Sequence, residues 1–347
     1  MKPGISINDI HRHIDFRYSF VARTIMIITI FISSYPVYAA ENISDMDKCI
    51  QSESLRAGNS KTVGELKERC RNRQTESDIK TKETFIERRM RLEKLSHDNP
   101  FVISAHKPNY ILLLAHNEKT NEAPFSIQFP NEDISVDNNE VKFQISAKFP
   151  LVVDLFDGKG DVYFAYTNRS FWQLYNDKSA PFRETNHEPE VFLSLRSDWK
   201  LFGFTNKLIN IGFVHQSNGR AATLSRSWNR IYASFIFEKE NIVLGFKPWY
   251  RISEDEVDDD NPDIEDYMGN FELTGVYKNG RHIFSAMLRN NLESDDNRGA
   301  IQVDWVFPLF KHLSGYVQYF NGYGESLIDY NYDQESIGIG FALTGWM

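Results

Sequence analysis

The chain has 347 residues, a formal net charge of −9 and a mean hydropathy of −0.45. These totals exclude a bundle of membrane-spanning helices: from about Pro100 onward no apolar run approaches the ~20 residues that a spanning helix needs. Net acidity argues against a general nucleic-acid binder. The 26 Phe and 16 Tyr suit a β core or an interfacial aromatic girdle, since a membrane barrel leaves half of every strand free to be polar.

In chain order, the first feature is the apolar stretch Ile25-Met-Ile-Ile-Thr-Ile-Phe-Ile32, preceded by Arg17 and Arg23 and followed by Val37-Tyr-Ala39. A basic start, a short apolar centre and a small residue at the cut describe a secretory signal over 1–39, cleaved after Ala39. The stretch is too short for a membrane anchor, and the leader is long enough that the true start codon can lie downstream. Residues 40–98 then read as a charged, partly helical periplasmic extension. It holds the only two cysteines, Cys49 and Cys70. An oxidising compartment favours one disulfide between them; free thiols or an intermolecular bond are the open alternative. Thr62-Val-Gly-Glu65 has the spacing of a capping box, and 83–95 carries a weak helical stripe at Phe85, Ile86, Met90 and Leu92.

After Asn99-Pro100 the pattern changes to alternation, and 99–347 reads as the main domain. Val141-Lys-Phe-Gln-Ile-Ser-Ala-Lys-Phe149 puts Val, Phe, Ile, Ala and Phe on one face and Lys, Gln, Ser and Lys on the other. About twelve such strands are predicted, near 109–116, 141–149, 160–168, 189–198, 208–217, 227–239, 242–252, 268–278, 281–291, 299–307, 312–321 and 334–347. An even number of two-faced strands about ten residues long is the signature of an all-β, transmembrane antiparallel barrel, closed because lipid cannot satisfy a sheet edge. Met347 stands where such barrels commonly end in Phe. Two segments read as loops: polar 182–189 and acidic 254–266. The latter lacks EF-hand spacing and is expected to be a solvated surface loop.

His215-Gln-Ser-Asn-Gly-Arg220 and Ser225-Arg-Ser-Trp-Asn229-Arg fall on two neighbouring predicted strands. His215 and Ser217 are in phase with Ile209, Ile211 and Phe213; Asn229 is in phase with Ile231, Ala233, Phe235 and Phe237. A serine needs a base, and the base needs an orienting group: Ser217, His215 and Asn229 supply all three on the lipid-facing side. A neutral Asn suits that place because a carboxylate facing hydrocarbon bears a large desolvation cost. The structural alternative is polar residues tolerated at the membrane rim. By the same parity Lys142, Lys148, Arg196, Arg230, Glu238, Lys247, Arg251 and Asp304 point inward, enough to fill a small barrel with ion pairs.

The chain resembles the outer-membrane phospholipase A family over roughly 99–347. The resemblance is carried by Tyr166-Thr, Trp172-Gln-Leu174, Pro181-Phe-Arg-Glu-Thr-Asn186, the two blocks at 215–220 and 225–230, Lys247-Pro-Trp-Tyr250, Asp260-Asn-Pro-Asp263, Tyr267-Met-Gly269 and Gly322-Tyr-Gly-Glu-Ser-Leu-Ile-Asp-Tyr-Asn331. It implies a calcium-dependent phospholipase A1/A2 and lysophospholipase, a serine ester hydrolase active as a homodimer in the outer membrane. It also implies Ser217 as nucleophile, His215 as base, Asn229 as orienter and the Gly219 backbone N–H in the oxyanion hole. Ca2+ is expected on the Arg220 carbonyl and Ser225, completed by Ser179 of the partner subunit. Two positions depart from the family pattern. Asn168 replaces a glutamine of the dimer contact, and Ala221-Ala222 replaces a Ser-Asp pair. The rival expectation is a non-enzymatic structural or channel-forming barrel.

Overall fold

The computed structural model describes residues 49–50, 52–54, 62–71, 83–96, 103–132, 134–178, 180–255, 257, 259–310 and 313–344. The predicted signal at 1–39 and the carboxy-terminal Met347 lie outside them. The chain divides into two compact units, Met1–Lys80 and Thr81–Met347. In the first, Cys49 and Cys70 are disulfide-bonded, with Cα atoms 5.9 Å apart. The capping box forms as well: Thr62 N–H donates to Glu65 Oε2 at 3.0 Å and Glu65 N–H to Thr62 Oγ1 at 3.4 Å.

Among the described residues, fourteen strands form one antiparallel sheet; two of them, Ser104–Ala105 and Lys200–Leu201, are two-residue pieces attached to longer neighbours. The other twelve are β1 (Asn109–Asn117), β2 (Asn139–Asp154), β3 (Gly160–Trp172), β4 (Phe182–Arg196), β5 (Phe204–Ser217), β6 (Ser227–Lys239), β7 (Ile242–Ile252), β8 (Phe271–Asn279), β9 (His282–Asn290), β10 (Gly299–Pro308), β11 (Ser314–Tyr323) and β12 (Asp333–Thr344). Each pairs with the next, and β12 pairs with β1 (Ser336 with Asn117, Phe341 with Ile111), so the sheet closes into a barrel. Among the described residues no helix is long and apolar enough to cross a membrane. The crossing belongs to the strands, whose backbone groups bond to one another around the ring.

Period-2 patterning decides the two faces. Ile211, Phe213 and Ile231 are 48%, 45% and 49% exposed on the outside, while Trp228 is fully buried and Arg230 and Tyr232 are buried inside. The lumen is packed with side chains and with ion pairs. Lys142 meets Glu325 at 2.8 Å, and Arg183 bridges Glu140 at 3.0 Å and Asp329 at 2.7 Å. Tyr163, Phe192, Trp228, Tyr232, Trp249 and Leu327 make the apolar part of this filling. On the inner side of β5, a Cβ at Gly212 would lie 2.6 Å from Phe192 Cβ and 2.9 Å from Tyr232 Cζ, so only glycine lets β4, β5 and β6 approach three residues before His215.

Connections alternate in length. Glu240-Asn241 and Gly280-Arg281 are two-residue turns at one end, and 118–138, 218–226, 253–270 and 324–332 are long connections at the other. Short turns mark the periplasmic side and long loops the extracellular side. At the short-turn end helix α1 (Phe85–Ser96) enters the barrel. Thr84 and Glu87 cap it reciprocally. Glu238 Oε1 accepts the Phe85 and Ile86 N–H groups at 2.7 and 3.2 Å, satisfying two donors that a helix start leaves open. Lys207 pairs with Glu87, Lys148 pairs with Glu93, and Ile86 packs with Tyr110, Val243 and Ile283. Ile86 and Met90 of the weak sequence stripe therefore plug the barrel, while Leu92 is exposed.

One loop expectation is corrected and the other refined. Residues 182–189 are the first half of β4, paired with β3 from Trp172 to Tyr166. Arg183, Glu184 and Asn186 are buried in a polar lumen rather than solvated; Glu184 accepts from Asn186 Nδ2 at 2.7 Å and from the Ile328 N–H at 3.1 Å. Acidic 254–266 is folded onto the barrel, not merely solvated. Asp259 takes both contacts of a 2.7 Å pair with buried Arg251, Asn261 is fully buried, and helix α2 (Ile264–Met268) closes the segment.

Candidate active site

The site lies where β5 ends and β6 begins, at the long-loop end of the outer face. Antiparallel register places His215 opposite Asn229, and Ser217 opposite Ser227 on one side and His187 on the other. His215 Nδ1 and Asn229 Oδ1 are 2.9 Å apart. An amide oxygen only accepts, so Nδ1 carries the proton and Nε2 is left with its lone pair. Asn229 Nδ2 donates to Glu254 Oε1 at 2.8 Å. Ser217 is half-buried on the same face as His215, two residues further along the strand, about 7 Å in backbone rise. No hydrogen bond joins its hydroxyl to the ring among the described residues, a looseness common before substrate is bound.

The ladder between β4 and β5 is interrupted beside the site. Register runs from His187↔Ser217 to Glu190↔Val214, and Pro189, which has no N–H to donate, stands across from His215. His187 in turn accepts or donates through Nδ1 to the Tyr166 hydroxyl at 2.6 Å, with Asn168 Nδ2 at 3.5 Å. Asn168 thus sits on the outer face next to the site. Sequence reasoning missed His187 because it lay in a segment read as a loop; its register against Ser217 was the signal.

After Ser217 the chain makes the turn that holds the other predicted residues. Gly219 has φ +63°, a conformation glycine adopts without penalty, and a Cβ there would come to 3.6 Å from His187 Cδ2. Asn218 is buried beneath it. The Arg220 guanidinium donates to the Phe182 and Arg183 carbonyls at 3.0 and 2.6 Å, tying the turn to β4. Residues Ala222–Leu224 form a 3-10 turn, and Ser225 Oγ donates to Asp260 Oδ2 at 2.5 Å. Ser227 N–H donates to Asn261 Oδ1 at 3.0 Å, so the acidic segment is pinned to the start of β6.

As a cation site, this corner offers oxygen only: the Arg220 carbonyl, the Ser225 hydroxyl and the Asp260 carboxylate. Such a donor set fits a hard divalent ion such as calcium and suits soft metals poorly. Among the described residues no cluster of three or more His, Cys, Asp or Glu side chains is assembled to hold a metal. Ala221 and Ala222 add no side-chain oxygen. Ser179 lies outside the described residues.

The fold and these groups define a membrane-embedded β-barrel carrying a Ser-His-Asn arrangement at its apolar surface. The family model for phospholipase A1 matches residues 86–343. The phospholipase A1 of Klebsiella pneumoniae is 40% identical over 249 residues, 72% of this chain and 84% of that protein; that of Escherichia coli K12 is 38% identical over the same length, with 72% and 83% covered. Among solved structures, the Salmonella typhi outer-membrane phospholipase, a dimer with bound calcium, superposes with a TM-score of 0.68 at 37% identity, covering 73% of this chain and 96% of that one. The Escherichia coli outer-membrane phospholipase A gives 0.67 at 36% identity, covering 72% and 95%. The chain belongs to the phospholipase A1 family. It is an outer-membrane β-barrel phospholipase.

Proposed function

We propose that Ser217, His215 and Asn229 carry out acyl-ester hydrolysis of glycerophospholipids, and of their lyso forms, at the outer face of the barrel. The observation that carries this reading is the 2.9 Å His215–Asn229 pair with Ser217 on the same lipid-facing side. Ser217 Oγ attacks the ester carbonyl while His215 Nε2 takes its proton. The same nitrogen then returns the proton to the departing lysolipid oxygen. Water, deprotonated by His215, hydrolyses the acyl-enzyme and releases the fatty acid. The Gly219 N–H, in a turn of positive φ beside Ser217, is assigned as the donor for the oxyanion. The related E. coli enzyme has been crystallised with an active-site asparagine changed to alanine, which supports the part given to Asn229.

The Arg220 carbonyl and Ser225 Oγ would hold calcium, with Ser179 of the partner subunit completing the site. When bound, the ion supplies positive charge beside the developing oxyanion. The calcium-bound dimer of the Salmonella typhi relative supports both the ion and the homodimer. We also read 1–39 as a signal peptide and 40–98 as a periplasmic extension, in keeping with the short-turn end at which α1 enters. A channel is disfavoured by the filled lumen, where Lys142–Glu325 and Arg183–Glu140–Asp329 are buried ion pairs.

The test is phospholipid hydrolysis in detergent micelles with Ca2+. Ser217→Ala is expected to lower kcat by about 10^4-fold or more, and EDTA to abolish turnover. Activity that survives both changes would refute the proposal.

A further inference from the structure

Asn229 is an amide with two chemically different ends, and the reaction needs only one of them toward His215. With Oδ1 facing the ring, Nδ1 is held protonated and Nε2 is free to act as base. With the amide reversed, Nδ2 would present N–H groups to that nitrogen and favour the opposite tautomer. A neutral amide on a lipid-facing strand has little intrinsic reason to prefer one orientation. It also brings no charge to offset the imidazolium that forms during each proton transfer.

Both deficits are met by Glu254. Its carboxylate is an acceptor only, and its Oε1 takes a hydrogen bond from Asn229 Nδ2 at 2.8 Å, which places Oδ1 on the opposite side, 2.9 Å from His215 Nδ1. The position follows from register. Asn229 pairs with Ile252, the last residue of β7, and Glu254 stands two residues beyond, where the chain leaves the barrel wall for the acidic loop. Glu254 is only half-buried there, so its charge keeps water on one side. A carboxylate at residue 229 itself would face acyl chains.

We propose that Glu254 is a positioning residue of this enzyme. It fixes the amide of Asn229 and places the negative charge of the relay one residue away from the hydrocarbon, making Ser217–His215–Asn229–Glu254 a four-membered chain. The inference rests on the assignment of Asn229 as orienter and adds the group that orients it. Polarisation along the chain strengthens each hydrogen bond as His215 becomes charged.

The test uses the full-length protein folded in detergent with Ca2+, and reads kcat and KM on one phospholipid in mixed micelles. Asn229→Ala serves as the reference, and barrel integrity is read from heat-modifiable migration in gels. Glu254→Ala is expected to lower kcat about tenfold to a hundredfold, the equivalent of one charge-assisted hydrogen bond, with KM changed less than about twofold because substrate binding is not touched. Asn229→Asp sets two carboxylates against each other and is expected to fall below Glu254→Ala. Adding Glu254→Gln to Asn229→Asp, which replaces repulsion by a donor amide, is expected to recover kcat by about tenfold. A merely structural Glu254 would not reverse the sign of its effect with the residue at 229. The inference is overturned if Asn229→Ala is impaired while Glu254→Ala keeps full kcat, or if Glu254→Gln fails to rescue Asn229→Asp. Full activity of Asn229→Ala would remove the orienter assignment itself, and the inference with it.

Discussion

Asn218 Oδ1 accepts the backbone N–H of Arg226 at 3.0 Å, and the same oxygen takes the Arg220 N–H at 3.2 Å. One buried side chain thereby holds both ends of the turn that carries Gly219, Arg220 and Ser225. Its Nδ2 secures the middle through the Leu224 carbonyl at 2.8 Å. Asn218→Ala should release this turn without touching Ser217 or His215. A displacement near 1 Å at such a site costs about a hundredfold in rate. The expected outcome is a kcat loss of that order with barrel migration preserved, measured by micellar hydrolysis beside gel mobility.

Gly219 makes a sharper prediction, because its φ of +63° and not its surroundings is the constraint; a Cβ would meet His187 only at ordinary contact distance. Gly219→Ala should cost about 1–2 kcal/mol of local backbone strain and turn the N–H away from the oxyanion. Gly219→Asn, which tolerates the left-handed region better, should retain more activity than Gly219→Ala. The opposite order in a kcat comparison would show that crowding against His187 governs the position.

Calcium affinity should depend on Ser225 and on its neighbour Asp260, which holds the Ser225 hydroxyl at 2.5 Å. Asp260→Ala is expected to raise the calcium concentration for half-maximal activity by about tenfold, as loss of an outer partner of a ligand does, and Ser225→Ala by more. A second readout is independent of turnover. Saturating Ca2+ at a hundred times its Kd should stabilise the parent protein by about 2.7 kcal/mol against heat, and the Ser225→Ala variant less.

Acid sensitivity has a defined source in the loop after β11. Glu325 is buried, which raises its pKa, but the Lys142 ammonium at 2.8 Å and the Ser336 hydroxyl at 2.7 Å more than offset this and hold it below the usual carboxylate range. A depressed carboxyl contributes stability that is complete above its unfolded pKa, about 4.3, and is lost as pH falls through the lower folded value. Heat resistance in gels should therefore drop below about pH 4. Glu325→Gln should flatten that acid limb while lowering stability at pH 7, because it leaves Lys142 buried without its counter-ion.

Much of the barrel was legible because a lipid-exposed wall and a polar lumen enforce strict alternation. The runs at β2, β6, β10 and β12 state their faces directly. The same rule exposed His215, Ser217 and Asn229 as polar residues on an apolar stripe, and the turn between β5 and β6 brought residues fourteen apart to hydrogen-bonding distance. The first half of β4 was not legible: Arg183, Glu184, Asn186 and Glu188 look solvated until the lumen that receives them is known. Nor could a run of acids disclose which member reaches where. Asp259 finds Arg251, Asp260 finds Ser225 and Glu254 finds Asn229 through register and loop path, not through spacing. The plug role of α1 was hidden for the same reason, since its partners Glu238, Lys148 and Lys207 are distant in sequence.

The pairing of β12 with β1 joins Ser336 to Asn117, more than two hundred positions apart. Emergence from the ribosome and assembly of the cylinder therefore run on different clocks: the earliest strand waits for the latest. A nascent chain halted before Asp333 would carry two unpaired margins that no bilayer can accommodate. Insertion of the closed wall therefore depends on its last twelve-residue strand.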